Sequence, residues 1–220
     1  MSLQSKAVLI TGANAGMGYQ TALHLAKRDA RLILGCRNMQ AGQKAVKKII
    51  EASRNESVVT YELDLACFTS IKKFASTVIK NESRLDVLIN NAGVFMLPLR
   101  RTSNNIEMHF GVNFLGHFLL TNLLLNKLRK EPDTRIINVA SNVPQIPVID
   151  FDDINSEKSY NRVKAVLQSK QSILLYTKYM AYKLGDSGVT INSVDPGLVM
   201  NDFGRNRDYW YGYFQVGDVF

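Results

Sequence analysis

Hydrophobic positions along the chain follow two alternating periods. Residues 7–10, 31–35, 58–63, 87–90, 136–139 and 189–194 are short, nearly continuous apolar runs rich in Val, Ile and Leu, the pattern of strands covered on both faces. Between them, residues 17–28, 39–52, 69–80, 105–128 and 162–184 space their apolar side chains as one face of a helix. Strands that alternate with helices predict right-handed crossover units, hence an α/β fold with a doubly wound parallel sheet. In such a sheet the ligand crevice lies at the strand C-terminal ends, which puts Thr11, Arg37, Asp64, Asn91, Ser141 and Pro196 along one rim. Past Gly197 both periods stop. Residues 203–220 hold seven aromatic side chains, a composition that fits a substrate lid, a membrane-surface contact or the ragged end of a shortened chain.

The turn after the first strand carries the first chemistry. Thr11-Gly12-Ala13-Asn14-Ala15-Gly16-Met17-Gly18 runs from an apolar strand into a helix, with glycines at 12, 16 and 18. Glycine permits the tight turn and leaves no Cβ between backbone and ligand, while the helix start offers free N–H groups and a positive dipole end. The expected ligand is an anionic nucleotide.

Composition narrows the alternatives. The 220 residues suit a single domain, with no linker-like stretch to separate two. The net charge of +8 is spread through helices and turns without a compact basic run, so no nucleic-acid partner is expected. His24, His109 and His117 lack partners at metal-ligand spacing, so no metal is expected and structural or surface roles are assigned to them. Neither a signal peptide nor a transmembrane segment is read, and Cys36 and Cys67 read as reduced thiols. The expected location is intracellular and cytoplasmic.

The loop spacing Thr-Gly-x-x-x-Gly-x-Gly has company in a fixed order: Asp64 ending the third strand, Asn90-Asn91-Ala92-Gly93 ending the fourth, Asn113 in the next helix, Ser141 after the fifth strand, and Pro196-Gly197 after the sixth. In this the chain resembles the short-chain dehydrogenase/reductase family from residue 5 to about 200. The Cys36-Arg37-Asn38 turn, the segment 111–118 and Gly188-Val189-Thr190 resemble its retinol dehydrogenase and WW-domain oxidoreductase branch. The resemblance implies a Rossmann-type domain over residues 1–200, an aromatic-rich segment over 201–220, and a C-terminus shorter than the family norm. It implies a cofactor site of Gly12, Asn14, Gly16, Met17, Gly18, Arg37, Asp64, Leu65, Asn91, Ala92, Gly93, Lys170, Pro196, Gly197 and Val199. At the end of the second strand Cys36 and Arg37 stand where an NAD-preferring site carries a carboxylate, so NADP(H) is expected over NAD(H). A homo-oligomer built on the two long helices is also implied.

Family catalysis uses a tyrosine, a lysine four residues later, a serine and an asparagine. Ser141 and Asn113 take the last two positions. For the lysine, Tyr160-x-x-x-Lys164 has the spacing, but at ~100° per residue Val163, Val166, Leu167, Ile173, Leu174, Thr177, Ala181 and Leu184 lie within about 60° of Lys170. Lys164 lies ~120° away, beside Gln168 and Gln171. Lys170 is therefore taken as the family lysine, which leaves Val166 at the tyrosine position; Tyr160 stays a candidate proton donor if the loop before the helix folds inward. The expectation is an NADP(H)-dependent oxidoreductase acting on a small lipophilic, retinoid-like alcohol or carbonyl. The alternatives are a pseudoenzyme that holds NADP(H) as a sensor or interaction partner, and a truncated product of an active relative.

Overall fold

The computed structural model describes residues 2–141 and 149–197. The elements are β1 (Ala7–Thr11), α1 (Gly16–Ala26), β2 (Arg31–Cys36), α2 (Met39–Ser53), β3 (Val58–Glu62), α3 (Phe68–Asn81), β4 (Val87–Asn90), α4 (His117–Leu128), β5 (Thr134–Val139), α5 (Arg162–Leu184) and β6 (Val189–Val194). The six strands form one parallel sheet in the order β3-β2-β1-β4-β5-β6. The order reverses direction between β1 and β4, and that switch point opens the crevice at their C-terminal ends.

Each face of the sheet builds its own core. Leu9, Ile33, Leu88 and Ile136 pack under Phe74, Val78, Leu120, Leu124 and Met180 of α3, α4 and α5. Val8, Ile10, Leu32 and Leu34 pack under Ala22 and Ala26 of α1 and Ile49 of α2. All five residues of β1 are buried, which explains why its sequence is continuously apolar rather than alternating. Each fully buried Leu or Ile here contributes roughly 1.5–3 kcal/mol.

One expected helix is built differently. The pattern over 105–128 reads as a single α-helix, whereas Asn105 adopts a left-handed φ of 59° and Phe110–Gly116 is a π-helical segment leading into α4. Two side chains explain the difference. The Glu107 carboxylate accepts the N–H groups of His109 and Phe110, so it caps the segment from within the protein. At the other end the His117 ring meets the Asn113 carbonyl at 2.9 Å, while the His117 backbone N–H turns to Phe114 O. The ring thus occupies the carbonyl that an i→i−4 bond from the His117 N–H would otherwise use, and the ladder is interrupted there.

Candidate functional site

The ends of β1, β2 and β4 open into a cleft of about 390 Å³. Gly12, Asn14, Gly16, Met17 and Gly18 form its floor, Arg37, Asp64 and Leu65 one wall, and Asn91, Ala92 and Gly93 the other. The floor tolerates only glycine at two places. Gly12 has φ +68°, and a Cβ there would sit 2.9 Å from Ala92 Cβ; at Gly18 it would sit 2.6 Å from Asn91 Nδ2 and 2.7 Å from Gly12 O. Thr11 ties the walls together, because its hydroxyl oxygen accepts the N–H groups of Asn91 and Ala92 at 2.9 Å each and its carbonyl accepts Asn91 Nδ2 at 2.8 Å. Ala15, at the N-cap of α1, has no side-chain acceptor, and no acidic residue stands in the first turn. The free N–H groups of that helix start face an anion-compatible cleft.

Asp64 is held in position: its N–H donates to Ser70 Oγ at 3.0 Å, and its carboxylate accepts Ala66 N–H at 2.9 Å. Arg37 stands exposed at the mouth, just past the fully buried Cys36. Burial pushes the Cys36 thiol up, so it adds no charge beside the guanidinium. Pro196 and Gly197 are exposed after β6 and do not line the cleft; the Gly197 N–H donates to Asp195. Val199 lies outside the described residues, as does the whole segment 201–220. Phe95 and Leu97, which the motif reading missed, also line the cleft. Their only signal in the sequence is that they follow the Asn91-Ala92-Gly93 turn.

Around the cleft the catalytic candidates divide. Lys170 is half-buried on α5, and its Nζ donates to Val139 O at 3.2 Å. Burial pushes its ammonium down to about 8, with Asp195 pulling the other way. Lys164 instead lies on the solvent side and pairs with Asp150 at 2.7 Å. The buried stripe of α5 is displaced from the expected one: Val163 is 51% exposed and Ala181 is exposed, whereas Gln168, Ser169 and Ser172 are buried. Hydrogen bonds make this burial affordable for polar groups, as Gln168 bonds Ile154 O and Asp150 N–H. Val166 is 7% exposed, one turn before Lys170.

Tyr160 does fold inward, but its hydroxyl donates to Leu97 O at 2.7 Å. Burial, with the nearby charge of Glu107, pushes the phenol up to about 12. A phenol committed to a carbonyl and harder to ionise is poorly prepared for proton exchange in this arrangement. Asn113 is buried with both amide protons used: Oδ1 accepts Val94 N–H at 2.8 Å, and Nδ2 donates to Val94 O at 3.1 Å and Ser169 Oγ at 3.0 Å. It locks the wall of the cleft to α5. Ser141 is half-buried just beyond β5.

His109 and His117 are buried rather than on the surface. His109 Nδ1 lies 2.8 Å from the Glu107 carboxylate, and its Nε2 accepts Leu97 N–H at 3.2 Å. Burial pushes His117 down to about 4, the Asn113 carbonyl acts against this, and the charge of Lys170 adds to the fall. An unfolded histidine near 6.5 takes a proton that the folded ring refuses, so this group lowers stability as pH falls. The expected loss is about 3 kcal/mol, absent above the unfolded value, accruing as pH falls below 6.5 and complete by about 4. Urea unfolding across that range, compared with His117→Gln, measures it. Among the described residues no group of three or more His, Cys, Asp and Glu is placed to hold a metal ion, and no helix is long and apolar enough to cross a membrane.

The chain matches the short chain dehydrogenase family profile over residues 6–212. It is 47% identical over 206 residues to retinol dehydrogenase 13 of Homo sapiens, covering 93% of this chain and 62% of that protein. To retinol dehydrogenase 11 of Homo sapiens it is 43% identical over 209 residues, covering 95% and 66%. The chain thus spans less than two thirds of each of these relatives. Among solved structures it resembles an uncharacterised protein from Mycobacterium paratuberculosis with a TM-score of 0.77 and 33% identity, covering 93% of this chain and 73% of the other.

Proposed function

We propose, from the premise that the chain belongs to the short-chain dehydrogenase family, that it binds NADP(H) and transfers hydride between the nicotinamide and a lipophilic, retinoid-like alcohol or carbonyl. Family membership supports an oxidoreductase and a nicotinamide cofactor. The observation that carries the reading is the side-chain-free cradle at Gly12 and Gly18, pinned to Asn91 and Ala92 by Thr11 and opening on the uncapped start of α1. Those backbone N–H groups suit a pyrophosphate, and the fixed Asp64 carboxylate suits an adenine amino group. When bound, the cofactor supplies the hydride. Lys170, with Nζ at the end of β5, holds the ribose side, and Ser141 polarises the substrate oxygen. The names of the similar retinol dehydrogenases support a retinoid-like substrate.

Arg37 decides between the two nicotinamide nucleotides. Among the described residues it forms no ion pair, so its guanidinium is available to a 2′-phosphate. Losing a charge-assisted bond of about 1.5–3 kcal/mol, Arg37→Ala is expected to bind NADPH roughly 10–100-fold more weakly, with NADH affinity unchanged. Fluorescence titration of both nucleotides checks this. Equal affinity of the native chain for NADH and NADPH would remove the NADP(H) assignment.

A second reading, a protein that holds NADP(H) without turnover, is favoured by Val166 and by the Tyr160 hydrogen bond to Leu97. Turnover by the native chain separates the two. A second copy of this chain is the proposed partner: Phe118, Leu175, Tyr179 and Tyr182 on α4 and α5 are 41%, 53%, 59% and 89% exposed. Both cysteines are free thiols, in keeping with an intracellular, reducing location.

A further inference from the structure

A line of hydrogen bonds runs from the cleft to α5 through His117, and counting protons fixes its direction. The Thr11 hydroxyl oxygen accepts N–H bonds from Asn91 and Ala92, which uses both lone pairs. Its single proton therefore goes to His117 Nε2, 2.9 Å away. Nε2 is then an acceptor, so the ring proton resides on Nδ1 and is donated to the Asn113 carbonyl at 2.9 Å. Asn113 continues the line through Nδ2 to Ser169 Oγ at 3.0 Å, and Ser169 Oγ donates to Val166 O at 2.7 Å, in the turn of α5 that leads to Lys170. Donors point one way throughout, from the β4 turn that walls the cleft towards the lysine helix.

Only one state of the ring completes this line. The other neutral tautomer, or the protonated ring, would aim an N–H at a hydroxyl whose remaining capacity is as a donor. Because the residue is 6% exposed, water cannot replace either bond, and a break leaves buried groups unsatisfied. The ring also shapes the backbone, since it takes the Asn113 carbonyl at the π-helical segment while its own N–H turns to Phe114 O.

We propose that His117, neutral and with its proton on Nδ1, is a positioning residue that holds the lysine-bearing helix in register with the nucleotide cleft. It touches neither cofactor nor substrate and acts through Thr11 on one side and Asn113 on the other. This rests on the reading of the cleft as a nucleotide site.

The test compares the native chain with His117→Phe, which fills the ring volume without either bond, and with His117→Gln, whose amide offers both an acceptor and a donor. Three readouts are taken: the nitrogen NMR spectrum of histidine-labelled protein near neutral pH, NADPH affinity by fluorescence, and the rate at which Lys170 is acetylated by acetic anhydride. The expected spectrum is that of a neutral ring protonated on Nδ1. His117→Phe is expected to bind NADPH about tenfold more weakly, the equivalent of one to two buried hydrogen bonds, and to acetylate faster at Lys170, with His117→Gln restoring both. A ring protonated on Nε2, or a folded His117→Phe protein equal to native in affinity and acetylation, overturns the proposal. If the native chain binds no NADPH, the nucleotide reading fails by itself, and spectrum and acetylation rates still judge His117. Should His117→Phe not fold, His117→Gln decides: native acetylation supports the role, and faster acetylation overturns it.

Discussion

Val166→Tyr is expected to raise the reduction of a hydrophobic carbonyl such as retinal by on the order of 10²- to 10⁴-fold, read as NADPH consumption. Val166 lies four residues before Lys170, so the two side chains share one face of α5. Valine has no proton to exchange, and hydride addition to a carbonyl leaves an oxygen that must take one. A phenol at 166 would stand beside the Lys170 ammonium, whose charge favours phenolate and thereby eases proton exchange. The extra volume costs about 1–3 kcal/mol of stability, because the position is buried, and a thermal melt measures that separately. NADPH affinity should hold, since Val166 does not line the cleft. Tyr160→Phe is the control. Its hydroxyl already donates to Leu97 O, so native turnover should survive its loss; disappearance of turnover would return the donor role to Tyr160 and remove Val166 from the tyrosine position.

Hydrophobic period made the sheet legible, because a parallel sheet covered on both faces writes each strand as an unbroken apolar run, and α5 and β6 begin and end where the pattern does. The glycine turn was legible for a related reason, as a turn where an added Cβ would sit 2.9 Å from Ala92 Cβ admits no side chain. Period failed where hydrogen bonds rather than packing decide burial. Gln168, Ser169 and Ser172 look like a solvated face, yet each is buried with its polar atoms bonded. His117 and Thr11 meet across 106 positions of sequence, and Tyr160 and Leu97 across 63. No local pattern encodes such pairs, so the histidines read only as structural or surface residues and Tyr160 as a candidate proton donor without a partner assigned. The π-helical turn was hidden for a related reason, since it goes with bonds that two side chains, Glu107 and His117, make to backbone groups.

Glu107→Ala is expected to cost about 3–5 kcal/mol of unfolding free energy, the largest stability loss among these substitutions. Glu107 is fully buried, and its carboxylate accepts the His109 and Phe110 N–H groups at 3.0 and 2.8 Å and His109 Nδ1–H at 2.8 Å. Burial pushes the carboxyl up, but these donors outweigh it and hold the group below its ordinary value. Its stabilising share is therefore present above the unfolded carboxylate value and lost as pH falls through the folded one. Alanine leaves three buried donors without an acceptor. At roughly 2–4 °C per kcal/mol for a domain of this size, the melting temperature should fall by about 6–20 °C. The effect should also reach the cleft. His109 Nε2 accepts Leu97 N–H and Tyr160 donates to Leu97 O, so Leu97 is gripped on both sides, on one of them by a ring that Glu107 orders. Leu97 lines the cleft and is not part of the Gly12 to Gly18 turn. At temperatures where Glu107→Ala is folded, NADPH binding should change less than the KM for the carbonyl. A melting temperature within 2 °C of native, checked by calorimetry, would show that this buried carboxylate bears little of the fold.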